Sequence, residues 1–71
     1  MILRKGTTVE WDWSGHTASG KITDIFTDDV ERTIKGSKIK RKASNDDPAY
    51  LIEQDDGAQV LKGRSELRRT D

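Results

Sequence analysis

The stretch AYLIEQDDGAQVLK, residues 49–62, decides the fold. Two short runs flank Asp55-Asp56-Gly57, and the Asp56-Gly57 step supplies the positive φ angles that a tight hairpin turn requires. In the first run Tyr50 and Ile52 share one face and Leu51 and Glu53 the other; in the second, Val60 and Leu61 oppose each other. A period of two on both sides of a turn predicts an antiparallel hairpin.

The neighbouring residues frame this hairpin. In SNDDPAY, Pro48 fixes its own φ and pushes Asp47 into an extended conformation, which launches a strand near Ala49. In RSELRR, Ser65 is placed to cap a helical or 3-10 turn that packs Leu67 onto the end of the domain. Upstream, VERTI and KIKRKA are joined around Lys35-Gly36-Ser37, with Val30, Arg32 and Ile34 facing one way. The inward side of this second hairpin is thinly apolar, so it is expected to project with its long polar side chains solvated.

Two further strands precede it. TTVEWDW carries Val9, Trp11 and Trp13 on one face, and TASGKITDIF points Ala18, Gly20 and Ile22 inward until Ile25 breaks the alternation. Gly20 followed by that change of phase predicts a bulge or sharp bend of the kind that turns a strand from one sheet into another. Turn signals recur at short intervals along the chain. They predict an all-β domain of five to six short antiparallel strands with a C-terminal 3-10 turn. Such a set suits a small SH3-like or Tudor-like barrel better than a sandwich, which takes more strands and about 100 residues.

Composition bounds the rest. With 71 residues and neither linker, repeat nor low-complexity tract, residues 1–71 read as a single domain near the lower size for unaided folding. Cysteine is absent, so stability must come from packing and a reducing compartment is compatible. Charged residues make up 37% and mean hydropathy is −0.88, which approaches disorder, but 13 basic residues cancel 13 acidic ones and disorder of this kind usually carries a large net charge. MILRKG is too short for the apolar region of a signal peptide and no apolar run reaches the length of a membrane span, so the expected setting is cytoplasmic, without a membrane.

No constellation suggests catalysis. His16, the sole histidine, sits beside turn residues with no partner to make it a general base. The pairs Asp28-Asp29, Asp46-Asp47 and Asp55-Asp56 fall where turns are expected and lack the spacing of a calcium loop. No catalytic residue, metal ligand or cofactor is therefore expected, and the chain is read as a non-enzyme. The basic tract KGSKIKRK holds Lys35, Lys38, Lys40, Arg41 and Lys42. It is either a phosphate-contacting arm or a solvated edge kept from pairing with other chains, and Asp28, Asp29, Glu31, Asp46 and Asp47 blunt its field.

The aromatic residues are Trp11, Trp13, Phe26 and Tyr50. Burying one tryptophan contributes about 5 kcal/mol before entropy, comparable with the whole net stability of a domain this small. Trp11, in mid-strand, is assigned to the core. Trp13, beside the Ser14-Gly15 turn, is assigned to a half-exposed rim, where it forms with Tyr50 the best candidate contact patch.

The run RTIKGSKIKRKASNDDPAYLIEQDDGAQVLKGRSEL, together with KGTTVEWDWSGHTASGKITDI, resembles the hypervirulence-associated protein Tudor domain family, a group of small bacterial and fungal proteins. The likeness runs from Lys5 to Leu67. Its most specific parts are Ile34 to Gly36, Ala43-Ser44 and Asp47 to Glu53. The resemblance implies a Tudor-like barrel and supplies neither a reaction nor catalytic residues, and fold does not give function.

The expected function is that of a small non-catalytic binding module, with a protein or peptide as ligand and a surface made by Trp13, Tyr50 and the hairpin from Thr33 to Lys42. The alternative is weak single-stranded nucleic-acid binding, with Lys35, Lys38, Lys40, Arg41 and Lys42 on phosphate and Trp13 or Tyr50 stacking on bases. A monomer, or a weak homodimer through an unpaired strand edge, fits either reading.

Overall fold

The computed structural model describes residues 3–70. Among them are seven strands and one 3-10 turn: β1 (Thr8–Trp13), β2 (His16–Phe26), β3 (Val30–Ile34), β4 (Ser37–Arg41), β5 (Ala49–Glu53), β6 (Gln59–Gly63), the turn Arg64–Glu66, and β7 (Arg68–Arg69). The chain is thus all-β and antiparallel, with one strand more than the five to six expected, and that one only two residues long. The strands form a five-stranded sheet in the order β6-β5-β2-β1-β7 and a separate two-stranded sheet β3-β4. β6 and β7 are the outer strands of the larger sheet, and no ladder joins either to the β3-β4 hairpin. No helix among the described residues is long and apolar enough to cross a membrane.

The three hairpins follow from local turn chemistry. Trp13 pairs with His16 across Ser14-Gly15, and Ile34 pairs with Ser37 across Lys35-Gly36. In both loops each central residue has positive φ, the two-residue turn whose twist matches that of the flanking strands. The β5-β6 loop differs from expectation. Only Gly57 has positive φ there, the Gln54 amide donates to the Ala58 carbonyl at 2.8 Å, and the Gly57 amide donates to the Gln54 carbonyl at 2.9 Å. This is a three-residue loop with glycine at its left-handed position. The Asp56 carboxylate accepts from the Ala58 amide at 2.9 Å and braces it.

The core divides in two. Val9 and Trp11 of β1, Ile22 of β2, Tyr50 and Ile52 of β5, with Leu3 and Leu67, make the main cluster. The opposite face of β5-β6 contributes Ala49 and Leu61 to a second cluster with Val30, against which Phe26, Ile34, Ile39, Ala43 and Leu51 pack. The β5-β6 hairpin is therefore apolar on both faces and lies between the clusters. This corrects the expectation that β3-β4 projects: Val30, Ile34 and Ile39 lay one face of that hairpin down on the second cluster.

One further expectation is borne out and another corrected. The bulge expected in β2 is present between Ile22 and Asp24, where the alternation changes phase before Ile25 and the register with β5 shifts; it lies past Gly20 rather than on it. Gly20 answers to a close approach instead: a Cβ there would stand 2.6 Å from the Glu53 carbonyl oxygen and 2.7 Å from Cγ2 of Ile52. At the C-terminal turn Ser65 is not the cap. The Glu66 carboxylate reaches back to accept the Gly63 amide at 3.0 Å, and Leu67 then enters the main core.

Candidate functional site

Alternation along β1 sends Val9, Trp11 and Trp13 to one side and Glu10 and Asp12 to the other. On the outer side Glu10 pairs with Arg68 of β7 in register. The Asp12 carboxylate accepts from both terminal Arg68 guanidinium nitrogens, at 3.0 and 3.3 Å, and this hydrogen-bonded cation holds its carboxyl below the usual carboxylate range. The inner side is core as far as Trp11, which is 2% exposed. Trp13 extends the same stripe past the end of the core and is 62% exposed, the one large hydrophobic side chain left open among the described residues.

What lies beside Trp13 is a cleft of about 590 Å³. One wall is the β3-β4 hairpin, which contributes Ile34, Lys35, Ser37 and Ile39; the facing wall is β6. Four consecutive β6 residues, from Gln59 to Lys62, line it. Consecutive side chains of a strand point to opposite faces, so a single cleft touches all four only when the edge of the strand looks into it. Among the described residues that edge has no ladder partner. The bond from Gln54 to Ala58 sets the ladder phase, so that Ile52-Val60 and Tyr50-Lys62 exchange the β5-β6 bonds, while Gln59 and Leu61 turn their N–H and C=O groups toward the cleft. Lys35 and Lys62 are the only charged residues of the lining.

The residues singled out in the sequence are distributed unevenly about this cleft. Trp13 and Lys35 line it. Tyr50 does not: it is 3% exposed inside the main cluster, where burial pushes its phenol pKa up. The patch of Trp13 with Tyr50 is thus not brought together, because Tyr50 shares the core-facing side of β5 with Ile52. The period of β4 splits the basic tract. Ser37, Ile39 and Arg41 face the body of the domain, and Lys38, Lys40 and Lys42 are exposed on the other side. Arg41 reaches Glu66 in an ion pair, which Lys62 joins from the opposite side at 3.7 Å. Lys40 pairs with Glu31 at 3.6 Å.

Phe26 is covered by the Arg32 guanidinium, 4.6 Å from its ring centroid. His16 opens β2 on the exposed surface. In the aspartate pairs, the Asp29 carboxylate accepts from the Ala43 amide and ties two loops together, Asp47 donates its amide to Ser44 Oγ and accepts from the Ser44 amide at its own carbonyl, and the Asp56 carboxylate braces Ala58. Sequence reasoning missed Val60, Gln59 and Lys62 as site residues. A signal for the first was present, since Val60 and Leu61 are consecutive apolar residues of opposite facing and only one of them can serve a given core.

Against known proteins, residues 6–67 match the family of hypervirulence associated proteins TUDOR domain. The chain belongs to this family. No curated protein and no solved structure matches it. The Tudor assignment and the observed sheets agree on a small antiparallel all-β domain.

Proposed function

We propose that the protein is a small non-catalytic binding module, a Tudor-like barrel in which side-chain packing of the β3-β4 hairpin on β5-β6 stands in for a closing ladder. Its ligand is a protein or peptide, taken in the cleft beside Trp13. The observation that carries this reading is Trp13 itself. A domain with four aromatic residues buries or covers three and leaves the fourth open, on the wall of a cleft that Ile34, Ile39 and Val60, all half-buried, also line. An indole contributes more contact energy per residue than any other side chain, and an open one beside a groove is the usual form of a binding anchor. The non-catalytic part of the reading rests on where the chemistry-bearing side chains are used: the Asp29 and Asp56 carboxylates on backbone amides, His16 on the exposed surface. The cysteine-free chain suits a reducing, cytoplasmic setting.

The Tudor name does not bring a methyl-lysine cage with it. Such a cage surrounds a cation with several aromatic faces. Here Trp11 and Tyr50 are in the core and Phe26 lies under Arg32, so Trp13 alone is free to receive a ligand.

The test is a selection of random peptides displayed on phage against the immobilised protein, followed by binding of the enriched peptides to the Trp13→Ala variant. The expected result is enrichment on the parent protein and loss of binding to the variant, with the variant's circular dichroism unchanged. Peptides that hold equally to Trp13→Ala, or a selection that enriches nothing, overturn the reading.

A further inference from the structure

Resting on the reading that the Trp13 cleft is the binding surface, we infer what it takes: an extended, acidic peptide that adds as a strand to the open edge of β6. Two independent features of the cleft point there. The first is the backbone. Gln59 and Leu61 turn N–H and C=O groups outward on an edge that no ladder pairs among the described residues; Leu61 is buried in the second cluster under the β3-β4 hairpin, whereas Gln59 is exposed and its end of the edge is open, and β4, the nearest wall, pairs only with β3. An added strand would satisfy these groups directly, as in other modules that bind by strand addition. It would also cover an edge that is otherwise a liability for self-association.

The second feature is charge. The cleft has two ammonium groups in its lining, Lys35 and Lys62, and no carboxylate. Lys62 shares Glu66 with Arg41, so this triad keeps one excess positive charge. Lys35 has no ion-pair partner among the described residues. The turn carboxylates Asp55 and Asp56 are outside the lining, and Asp12 is on the far face of β1 with Arg68. A ligand strand of alternating character answers both features. Its apolar side chains meet Trp13, Ile39 and Val60, and its carboxylates meet Lys35 and Lys62. A cationic ligand, methylated or not, meets two like charges in place of a counter-ion.

Nucleic acid is the less favoured occupant. Trp13 could stack on a base, but Lys38, Lys40 and Lys42 are carried on the other face of β4, and a strand threading the cleft would leave them behind. Only Lys35 of the basic tract accompanies Trp13.

The experiment is a ¹⁵N-¹H NMR titration of the full chain at low salt with capped heptapeptides: one alternating glutamate and valine, one alternating lysine and valine, and the glutamate peptide N-methylated along one edge. A mixed single-stranded oligonucleotide is the fourth probe. The glutamate peptide is expected to shift the Trp13 indole and the Gln59 to Lys62 amides together, and to slow solvent exchange at Gln59. The lysine peptide should bind at least about tenfold more weakly, and Lys35→Gln and Lys62→Gln, which preserve side-chain bulk, should each weaken the glutamate peptide about threefold. The N-methylated peptide should fail. Lysine peptide binding as well as glutamate peptide, or N-methylated peptide binding as well as its parent, overturns the inference while leaving the cleft as the binding surface. A stronger response to the oligonucleotide, or amide shifts that appear on raising protein concentration alone, overturns it in favour of nucleic acid or a second copy. Should phage-selected peptides themselves leave the Trp13 indole and the β6 amides unmoved, the underlying reading fails.

Discussion

One face of β1 and β2 has a closed end and an open end. At the closed end Val9, Trp11 and Ile22 meet Tyr50, Ile52 and Leu67, and nothing large is left in water. At the open end, two residues along the same strand, Trp13 meets a cleft, with Ala18 and Val60 only partly covered. The residue type and the face are the same; the difference is what lies opposite. β5 and Leu67 cover the first tryptophan, whereas β6 offers the second only its unpaired edge. A run of alternating apolar residues therefore says which way side chains point and not how far the core extends.

Substitutions can break this comparison at either end. Trp11→Ala should have the largest effect, costing about 3–5 kcal/mol by lost burial and a residual cavity, and so most or all of the stability expected of so small a domain. Urea unfolding followed by circular dichroism would show it, and a loss under 1 kcal/mol would mean that the closed end is not closed. Gly20→Ala comes next, at about 1–3 kcal/mol, because the added Cβ meets the Glu53 carbonyl and Ile52 where β2 and β5 cross closely, and backbone has to shift. Trp13→Ala should stay within about 0.5 kcal/mol of the parent, as for an exposed side chain with few partners, while removing peptide binding.

The smallest effect is on the outer side of β1. In Arg68→Gln the Asp12 carboxyl loses the cation that holds it down, and its titration, followed through the ¹³C carboxyl signal, should move up toward the ordinary carboxylate range. The sign of the linked stability follows: a carboxyl lowered in the folded state contributes fully above its unfolded pKa and loses that contribution as pH falls through the lowered one. The difference between parent and Arg68→Gln should thus be present at neutral pH and shrink in acid.

Much of the fold was legible because its determinants are local. Asp55-Asp56-Gly57, Ser14-Gly15 and Lys35-Gly36 each lie at the turn of a hairpin, Pro48 directly precedes β5, and Trp11 and Trp13 part at the core boundary as expected. Where the sequence misled, the missing information was tertiary. Gly20 reads equally as a bulge or as a close approach until β5 is laid beside it. Ser65 is the better cap by residue type, but Glu66 reaches the Gly63 amide because the 3-10 turn brings it back over that residue. The β3-β4 hairpin looks too polar to pack, yet β5-β6 has a second apolar face for it to cover.

The site was less legible than the fold. Trp13 and Lys35 are found in the cleft, but Tyr50 is withdrawn into the core and Arg41 into an ion pair. For Arg41 the signal was available: a period of two through KGSKIKRK separates Ile39 and Arg41 from Lys38, Lys40 and Lys42. For Gln59 and Lys62 it was not, since their nearness to Trp13 and Lys35 joins segments remote in the chain and exists only once the two hairpins are stacked.

The partition of the two tryptophans can be measured directly by acrylamide quenching of single-tryptophan variants, Trp13→Phe to report on Trp11 and Trp11→Phe to report on Trp13. The account predicts blue-shifted, shielded emission from Trp11 and red-shifted, readily quenched emission from Trp13, which a bound peptide then protects. Equal quenching of the two variants would contradict it, for then the face of β1 has no closed end and the cleft has no anchor of its own.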